Sequence, residues 1–250
     1  MFKAAVKDAK AWRNILSAIS PLVEEAGFEA TPDGLRLRAM DPSHVAMVDF
    51  EWGKAAFTEY ECQEPVRLRL NIGDMVKKLR GAGSEPLEMA YDDKTKKLNV
   101  VVKGKWKTTL VLPTLDPGSE EVPVPKMSFN AKIKMLSSTL RDVVDQAQMV
   151  SDRVNLEATS DKLVAEAVTE LSGVKIELEK GSEVMLAMEV KETSTATFNL
   201  NYLSEIAKAG AAVSEVVTIE FSKNMPIKIE YEMSGQGRIA YYVAPRIEPA

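Results

Sequence analysis

Alternation of apolar and polar residues dominates the chain. Nine segments alternate with a period of two, which is typical of half-buried β-strands. They are LRLRAM (35–40), HVAMVDF (44–50), PVRLRL (65–70), KLNVVV (97–102), KWKTTLVL (105–112), KIELE (175–179), VVTIEF (216–221), PIKIEYE (226–232) and RIAYYV (238–243). The polar clusters YDDKTKK and MSGQGR suit tight turns between antiparallel strands. The pattern therefore predicts a protein built mainly of antiparallel sheet.

Only four stretches have helical periodicity, near residues 8–20, 72–82, 136–150 and 200–209. In the first, the apolar stripe is formed by Trp12, Ile15, Leu16 and Ile19. The fold class predicted is α+β, with two helices for each half of the chain.

The two halves of the chain repeat one another. FEATPDGLRLRAMD at 28–41 aligns with LEATSDKLVAEAVT at 156–169, and the same offset aligns Asn71-Ile72 with Asn199-Leu200. A constant offset over most of a domain indicates duplication. Between the halves, PTLDPGSEEVPVPK (113–126) has four prolines and favours an extended, exposed segment. We expect an N-terminal domain at 1–116, a connector at 117–126 and a C-terminal domain at 127–250.

Charge is distributed unevenly. The formal net charge is −5, which as an average argues against a nucleic-acid partner. Apart from Asp8 at the start of the first, the four helical segments nevertheless carry seven basic residues against four acidic ones. The basic residues are Lys10, Arg13, Lys77, Lys78, Arg80, Arg141 and Lys208. These faces are either ordinary solvated surface or a positive lining for a polyanion, whose binding counterion release would favour.

Cysteine and histidine usage excludes several classes of site. Cys62 and His44 are single in the chain, so neither an intramolecular disulfide nor a Cys/His zinc site can form within it. No apolar run reaches membrane-spanning length, and MFKAAVKDAK has charges where a secretory signal is apolar. We expect no metal, no cofactor, no membrane partner and a reducing, intracellular compartment.

Asp41, Ser43 and His44 raise the alternative of a hydrolase. Neighbours in a strand or turn point in different directions, so these three cannot form the hydrogen-bonded line of a nucleophilic triad. No G-x-S-x-G elbow is present, and KGKWKTT lacks the first glycine of a phosphate loop. We therefore expect a protein that is not an enzyme.

Three motifs stand out in the chain: LRAMDPSHVAMVDF, NIGDMVKKLRGAG and PIKIEYEMSGQGRIAYYVAPRIE. Together with the duplicated layout, they resemble the proliferating cell nuclear antigen family, the DNA sliding clamps. The closing VAPRIE is similar to archaeal members. The resemblance implies a pseudo-sixfold ring of three subunits whose helices face a hole that encircles duplex DNA. It implies a processivity factor that tethers DNA polymerase and other replication and repair enzymes.

The resemblance also implies sites. Basic positions that line the channel fall on Arg13, Lys77, Arg80, Arg141 and Lys208, and Lys10 and Lys78 are further candidates from the helical wheel. It also implies a groove on this chain that accepts a short peptide of its partners, which are DNA polymerase, clamp loader, ligase and nucleases. That peptide carries a glutamine, an aliphatic residue and two aromatics. The expected groove residues are Met40, His44, Val45, Met47, Val122, Val124, Pro226, Tyr242, Ala244 and Pro245.

Subunit contacts in the family pair one edge strand with another, here Thr108, Thr109, Leu110, Val111 and Leu112 with Val174, Lys175, Ile176, Glu177 and Leu178 of the next chain. Different surfaces meet head to tail, so they must close into a ring or form a filament. We expect a homotrimer that binds double-stranded DNA without sequence preference. The alternatives are a subunit of a heterotrimeric or checkpoint clamp. The expected location is the cytoplasm, at the nucleoid, for an archaeal protein and the nucleus for a eukaryotic one.

Overall fold

The computed structural model describes residues 1–116, 122, 123 and 125–247. The chain forms two compact units. The first unit comprises Met1–Pro42, Val48–Pro123 and Met233–Ile239, and the second comprises Ser43–Met47, Val124–Glu232 and Ala240–Ala250.

The first half of the chain contains nine strands and two α-helices. In chain order they are β1 (Phe2–Val6), α1 (Ala9–Ile19), β2 (Glu25–Thr31), β3 (Gly34–Met40), β4 (Ala46–Gly53), β5 (Glu59–Cys62), β6 (Val66–Asn71), α2 (Ile72–Lys78), β7 (Leu87–Asp92), β8 (Lys97–Lys103) and β9 (Lys107–Pro113). A 3-10 turn at Lys54–Ala56 follows β4.

The second half repeats this order of strands and helices. Its elements are β10 (Ala131–Leu136), α3 (Ser137–Gln148), β11 (Arg153–Ala158), β12 (Lys162–Val168), β13 (Gly173–Glu179), β14 (Met185–Val190), β15 (Ser194–Asn199), α4 (Leu200–Gly210), β16 (Val216–Phe221), β17 (Ile227–Met233) and β18 (Gly237–Val243). The fold class predicted from the sequence is confirmed, because each half contains antiparallel strands and two helices.

Equivalent strands pair in the same way in the two units. In the first unit the order β5-β1-β7-β8-β9 forms one sheet, and β6-β2-β3 forms an antiparallel ladder. In the second unit β14-β10-β16-β17 and β15-β11-β12-β13 form the corresponding ladders. Six strands lie at sheet edges, and β9 and β13 are two of them. Within the described residues, β9 pairs only with β8 and β13 pairs only with β12.

Helices cover the sheets of their own unit. In the first unit α1 contacts α2, and its Trp12 packs on Phe28 with ring centroids 5.5 Å apart. Phe28 in turn meets Phe50 edge to face at 6.1 Å. In the second unit α3 contacts α4, and Phe198 meets Phe221 at 6.5 Å. Burial of these large apolar faces from water is the main source of each unit's stability.

The helix bounds match the periodicity closely, except at one end. α2 ends at Lys78, whereas the apolar stripe predicted a helix to residue 82. The chain continues as turn through Arg80 and Gly81, and the carbonyl oxygen of Arg80 accepts a hydrogen bond from a side chain of α1. Across the described ranges, no helix combines the length and the apolar character that crossing a membrane requires.

Candidate nucleic-acid and peptide interfaces

The outer face of α1 carries Lys10 and Arg13. Asp8 begins the helix as its N-cap, and its carboxylate accepts the amide of Lys10 at 2.8 Å. Trp12 and Leu16 are buried on the opposite side, which leaves Lys10 exposed and Arg13 half-buried. The sequence therefore sets which side of α1 faces the sheet and which side presents positive charge.

Arg13 has a structural role that sequence reasoning missed. One guanidinium nitrogen donates to the carbonyl oxygen of Arg80 at 3.0 Å and to that of Ala82 at 2.9 Å. These carbonyl groups follow the end of α2, where no helical amide donates a hydrogen bond to them. Arg13 thus caps the segment after α2, and the cationic group is held at the junction of the two helices.

The short helix α2 presents two exposed lysines. Asn71 caps it by accepting the amide of Asp74 at 2.7 Å, and Met75 is buried beneath it. Lys77 and Lys78 lie exposed in the last turn, where cations are favoured by the helix dipole. Lys78 also lies 3.5 Å from the Asp74 carboxylate one turn earlier, and both side chains are well exposed to solvent.

The helices of the second unit are less positive. Arg141 on α3 is exposed and lies 3.5 Å from Asp145 at i+4. Lys208 is exposed in the last turn of α4. Asp142 and Glu205 are also exposed on these helices.

Positive charge is thus concentrated in the first unit. Its helix pair and the turn after α2 carry five of the seven basic candidates with one acid, whereas α3 and α4 carry two with three acids. Apart from Arg80, which lies in the turn after α2, the basic candidates of each unit lie on one pair of contacting helices. The net charge of the chain conceals both the concentration and this asymmetry.

Part of the expected peptide groove lies in the second unit. His44 is exposed and adopts a left-handed backbone with φ of 57°. The next residue, Val45, accepts the backbone amide of Ala244 at 2.9 Å. This bond joins the opening of β4 to the segment after β18, so residues far apart in sequence lie together. Met47 is buried, and the half-buried residues are Val45, Pro226, Tyr242, Ala244 and Pro245.

The segment after Pro245 is held in place by Arg246. Its amide donates to the carbonyl oxygen of Thr197 at 2.7 Å, and its guanidinium contacts the Asp152 carboxylate at 2.8 Å. The hydrogen bond from Arg246 lowers the pKa of Asp152. The chain end that carries the expected groove residues is therefore anchored to two other elements of the second unit.

Two further expected groove residues belong to the first unit. Met40, at the end of β3, is 37% exposed. Val122 is half-buried, and its carbonyl oxygen accepts a hydrogen bond from Arg38 at 3.1 Å. Val124 lies outside the described residues.

A buried ion cluster surrounds Asp49 on β4. Its carboxylate is 2% exposed and contacts Arg38 at 3.0 Å and Arg238 at 2.9 Å. Arg238 also reaches Glu51 at 3.2 Å. Burial acts to lower the pKa of Arg238, but attraction by Asp49 and Glu51 outweighs it, and the net pKa is raised. A buried carboxylate needs such compensation, and two guanidinium groups supply it.

Both expected subunit-contact segments lie on edge strands. Residues 108–112 are within β9 and residues 174–178 are within β13. Val111 is 52% exposed, and Leu110 on the opposite face is half-buried. Edge strands with unpaired backbone groups are ready to pair with another chain.

The residues of the hydrolase alternative occupy different surroundings. Asp41 is buried, whereas Ser43 and His44 are exposed. The adjacent acids of YDDK form a turn, in which the Asp92 carboxylate accepts the Thr95 hydroxyl at 2.7 Å and the Lys94 amide at 2.9 Å. Within the described part of the chain, no three Asp, Glu, His or Cys side chains are grouped to hold a metal ion.

Comparison with known families decides the assignment. The model of the proliferating cell nuclear antigen N-terminal domain matches residues 1–114, and that of the C-terminal domain matches residues 123–246. The chain belongs to the proliferating cell nuclear antigen family. The resemblance read from the three motifs is confirmed.

Relatives within the family are similar over nearly their whole length. DNA polymerase sliding clamp 1 of Pyrobaculum aerophilum is 35% identical over 242 residues, which is 96% of each chain. The DNA polymerase sliding clamp of Pyrococcus furiosus is 31% identical over 247 residues, or 99% of each. A crystal structure of proliferating cell nuclear antigen from Thermococcus kodakaraensis superposes with a TM-score of 0.94 at 25% identity, covering 98% of this chain and 100% of that one.

Proposed function

We propose that this chain is a DNA sliding clamp subunit, which encircles duplex DNA and tethers DNA polymerase as a processivity factor. The observation that carries the proposal is that both family domains match this chain. Relatives named DNA polymerase sliding clamps also match it along almost its full length. The clamp acts by topology and is not an enzyme. Since those relatives are archaeal, we place it inside an archaeal cell, with the DNA of the nucleoid.

The helix faces bind DNA without reading its sequence. Exposed lysines and arginines on helices contact phosphates, which attract but carry no sequence information. A loose, purely electrostatic lining lets the ring move along the duplex. The proposed lining is Lys10, Arg13, Lys77, Lys78, Arg80, Arg141 and Lys208, and its first-unit members carry most of the net charge.

Partner enzymes dock through a short peptide. We divide the chain into domains at 1–116 and 127–250, joined by a connector at 117–126. In this proposal the connector and the last strand contribute residues to the groove. Methionine and short aliphatic side chains adapt to several aromatic ligands. The proposed residues are Met40, His44, Val45, Met47, Val122, Val124, Pro226, Tyr242, Ala244 and Pro245. Polymerase, clamp loader, ligase and nucleases share this groove.

The internal repeat supports a homotrimer by predicting how β9 meets β13. Ala244 donates to Val45 within the second unit, and Arg238 contacts Glu51 at 3.2 Å within the first. In the pairing of β18 with β4, residue 244 thus lies opposite residue 45, and residue 238 lies opposite residue 51. In the repeat, β9 is the counterpart of β18, and β13 is the counterpart of β4.

When the inward-facing residues of equivalent strands are aligned, Leu110 with Tyr241 and Ile176 with Phe50, Lys107 falls at the position of Arg238 and Glu177 at that of Glu51. The opposite charges of the Arg238–Glu51 pair are therefore repeated on two edges that have no partner strand within the described chain. Paired in the same register, Lys107 of one copy would face Glu177 of the next. Two edges of one sequence that complement each other in this way favour a homotrimer over the heterotrimeric and checkpoint alternatives.

Light scattering after size exclusion tests the assembly. We expect three times the chain mass of 27.5 kDa. A mass that stays at one chain at all concentrations would contradict the ring. The same sample should extend DNA synthesis by a family polymerase when a clamp loader is present. Esterase turnover by the purified chain would instead favour the hydrolase alternative with Asp41, Ser43 and His44.

Calorimetry with a peptide that carries the glutamine, the aliphatic residue and two aromatics tests the groove. We expect Met40→Ala combined with Val45→Ala to abolish binding while the trimer mass stays constant. Arg36→Ala is a matched control, because Arg36 is exposed on the same strand as Met40. Retained affinity in the double variant would move the groove elsewhere.

A further inference from the structure

Arg38 holds two parts of the first unit together. Its Nε lies 3.1 Å from the Asp49 carboxylate, and its Nη1 lies 3.1 Å from the carbonyl oxygen of Val122. One planar guanidinium therefore bonds a side chain of β4 and the backbone of the connector at once. Arginine suits this task because its donors form a rigid fork in one plane.

The position of Arg38 relates it to the proposed groove. Residues at i and i+2 of a strand share a face, so Arg38 lies on the face of β3 that also carries Met40. On β4, Asp49 has the same relation to Met47. Arg38 and Asp49 thus lie next to groove residues on both strands. The hydrogen bond from Arg38 ends on Val122, itself one of the proposed groove residues.

We infer that Arg38 is a positioning residue for partner-peptide binding: it fixes the connector at Val122 and so sets one wall of the groove. The inference rests on the proposed function, because it concerns the same groove. Arg38 itself need not touch the peptide. A Val122 backbone that is held before binding loses less conformational freedom when the peptide arrives, which strengthens affinity.

Arg238 provides a matched control. Arg38 and Arg238 both contact the same carboxylate of Asp49, at 3.0 and 2.9 Å, and both side chains are about equally covered, with 26% and 30% exposed. In addition, Arg38 reaches the connector at Val122, whereas Arg238 reaches Glu51. If loss of an ion pair with Asp49 were enough to loosen the connector, Arg38→Ala and Arg238→Ala would speed connector exchange alike.

Two measurements on the full-length trimer test the inference. Hydrogen–deuterium exchange is followed in the fragment that covers residues 114–126, and the dissociation constant of the motif peptide is measured by calorimetry. Arg38→Ala should speed exchange in this fragment and weaken the peptide about tenfold, as expected for loss of a hydrogen bond to a charged group. Arg238→Ala should change neither by more than about twofold, although both variants lower the melting temperature.

Arg38→Lys separates charge from geometry. Lysine restores a positive charge beside Asp49 but lacks the fork that reaches both partners. It should behave as Arg38→Ala in exchange and affinity. Equal behaviour of the Arg38→Ala and Arg238→Ala variants would overturn the inference, as would unchanged connector exchange in Arg38→Ala. If the unsubstituted trimer fails to bind the peptide, the proposed groove fails, while the exchange measurement still decides whether Arg38 fixes the connector.

Discussion

The guanidinium of Arg13 lies 3.0 Å from the carbonyl oxygen of Arg80, so the residue expected to contact DNA also completes the turn after α2. A second bond, to Ala82 at 2.9 Å, strengthens this arrangement. Two cationic side chains are brought together here because one of them caps the backbone of the other. Replacing Arg13 with alanine therefore removes two hydrogen bonds that hold the turn after α2 as well as a positive charge.

Arg13→Ala should lower the free energy of unfolding by about 1–2 kcal/mol, because two carbonyl oxygens lose a charged donor. Denaturant unfolding followed by circular dichroism measures this. Lys10→Ala removes an exposed charge from the same helix face and should change stability by less than about 0.5 kcal/mol. Equal stability of the Arg13→Ala variant and the parent would show that the two bonds contribute nothing in solution.

DNA binding should depend on the first unit more than on the second. The triple variant of Lys10, Lys77 and Lys78 to alanine should reduce the slope of log affinity against log salt by at least about 1, because each phosphate contact contributes about 0.9. Alanine at Arg141 and Lys208 should reduce it less, since three acids share those helices. The measurement is fluorescence anisotropy with duplex DNA at several salt concentrations.

A charge-matched control tests position rather than number of lysines. Lys94, Lys180 and Lys191 are exposed in turns away from the helices, and their triple alanine variant removes the same charge. It should leave the salt slope nearly unchanged. If both triple variants lower the slope equally, binding follows net charge and not the helix faces.

Local patterns predicted the helices and half of the strands, whereas long-range contacts escaped them. KIELE alternates strictly, and β13 has alternately half-buried and exposed residues. FKAAV does not alternate, because β1 is buried on both faces, so alternation could not predict this strand. Asp49 and Arg238 are 189 positions apart, so no local signal could pair them. The hydrogen bond from Arg38 to Val122 could not be predicted from the sequence either, since its acceptor is a backbone oxygen.

The register proposed between β9 and β13 gives a prediction with a definite sign. It sets Thr109 of one copy opposite Lys175 of the next, on the exposed face of both strands. Thr109→Glu should therefore stabilise the trimer and Thr109→Lys should destabilise it, each by roughly 0.2–1 kcal/mol per contact. Dilution of the trimer followed by mass photometry measures the effect.

A shift of the register by two residues would reverse the signs, because Thr109 would then face Glu177. A homotrimer has three such contacts, so the free energies add and the effect on dissociation is magnified. Lys107→Glu provides an independent check, because it should weaken the trimer by facing Glu177 with like charge. Identical dissociation of the Thr109→Glu and Thr109→Lys variants would contradict strand pairing at these residues.

Two tyrosines should respond in opposite ways to loss of the hydroxyl group. The hydroxyl of Tyr231 is buried, with no hydrogen-bond partner among the described residues, whereas that of Tyr60 donates to the carbonyl oxygen of Thr31 at 2.7 Å. Tyr231→Phe should raise the free energy of unfolding by about 1 kcal/mol, and Tyr60→Phe should lower it by a similar amount. Thermal unfolding of both variants at pH 7 measures the contrast.

The alkaline limit of stability gives the same tyrosines a second test. Burial raises the pKa of Tyr231 and that of Tyr60, because the phenolate would be poorly solvated in the folded chain. In the unfolded chain the hydroxyl ionises near pH 10. The contribution of the two tyrosines to the free energy of unfolding is therefore complete below about pH 10. It is lost as pH rises further, since only the unfolded chain then releases the proton. Tyr231→Phe should flatten the decline of melting temperature above pH 10, and an unchanged decline would show that this tyrosine ionises freely in the folded protein.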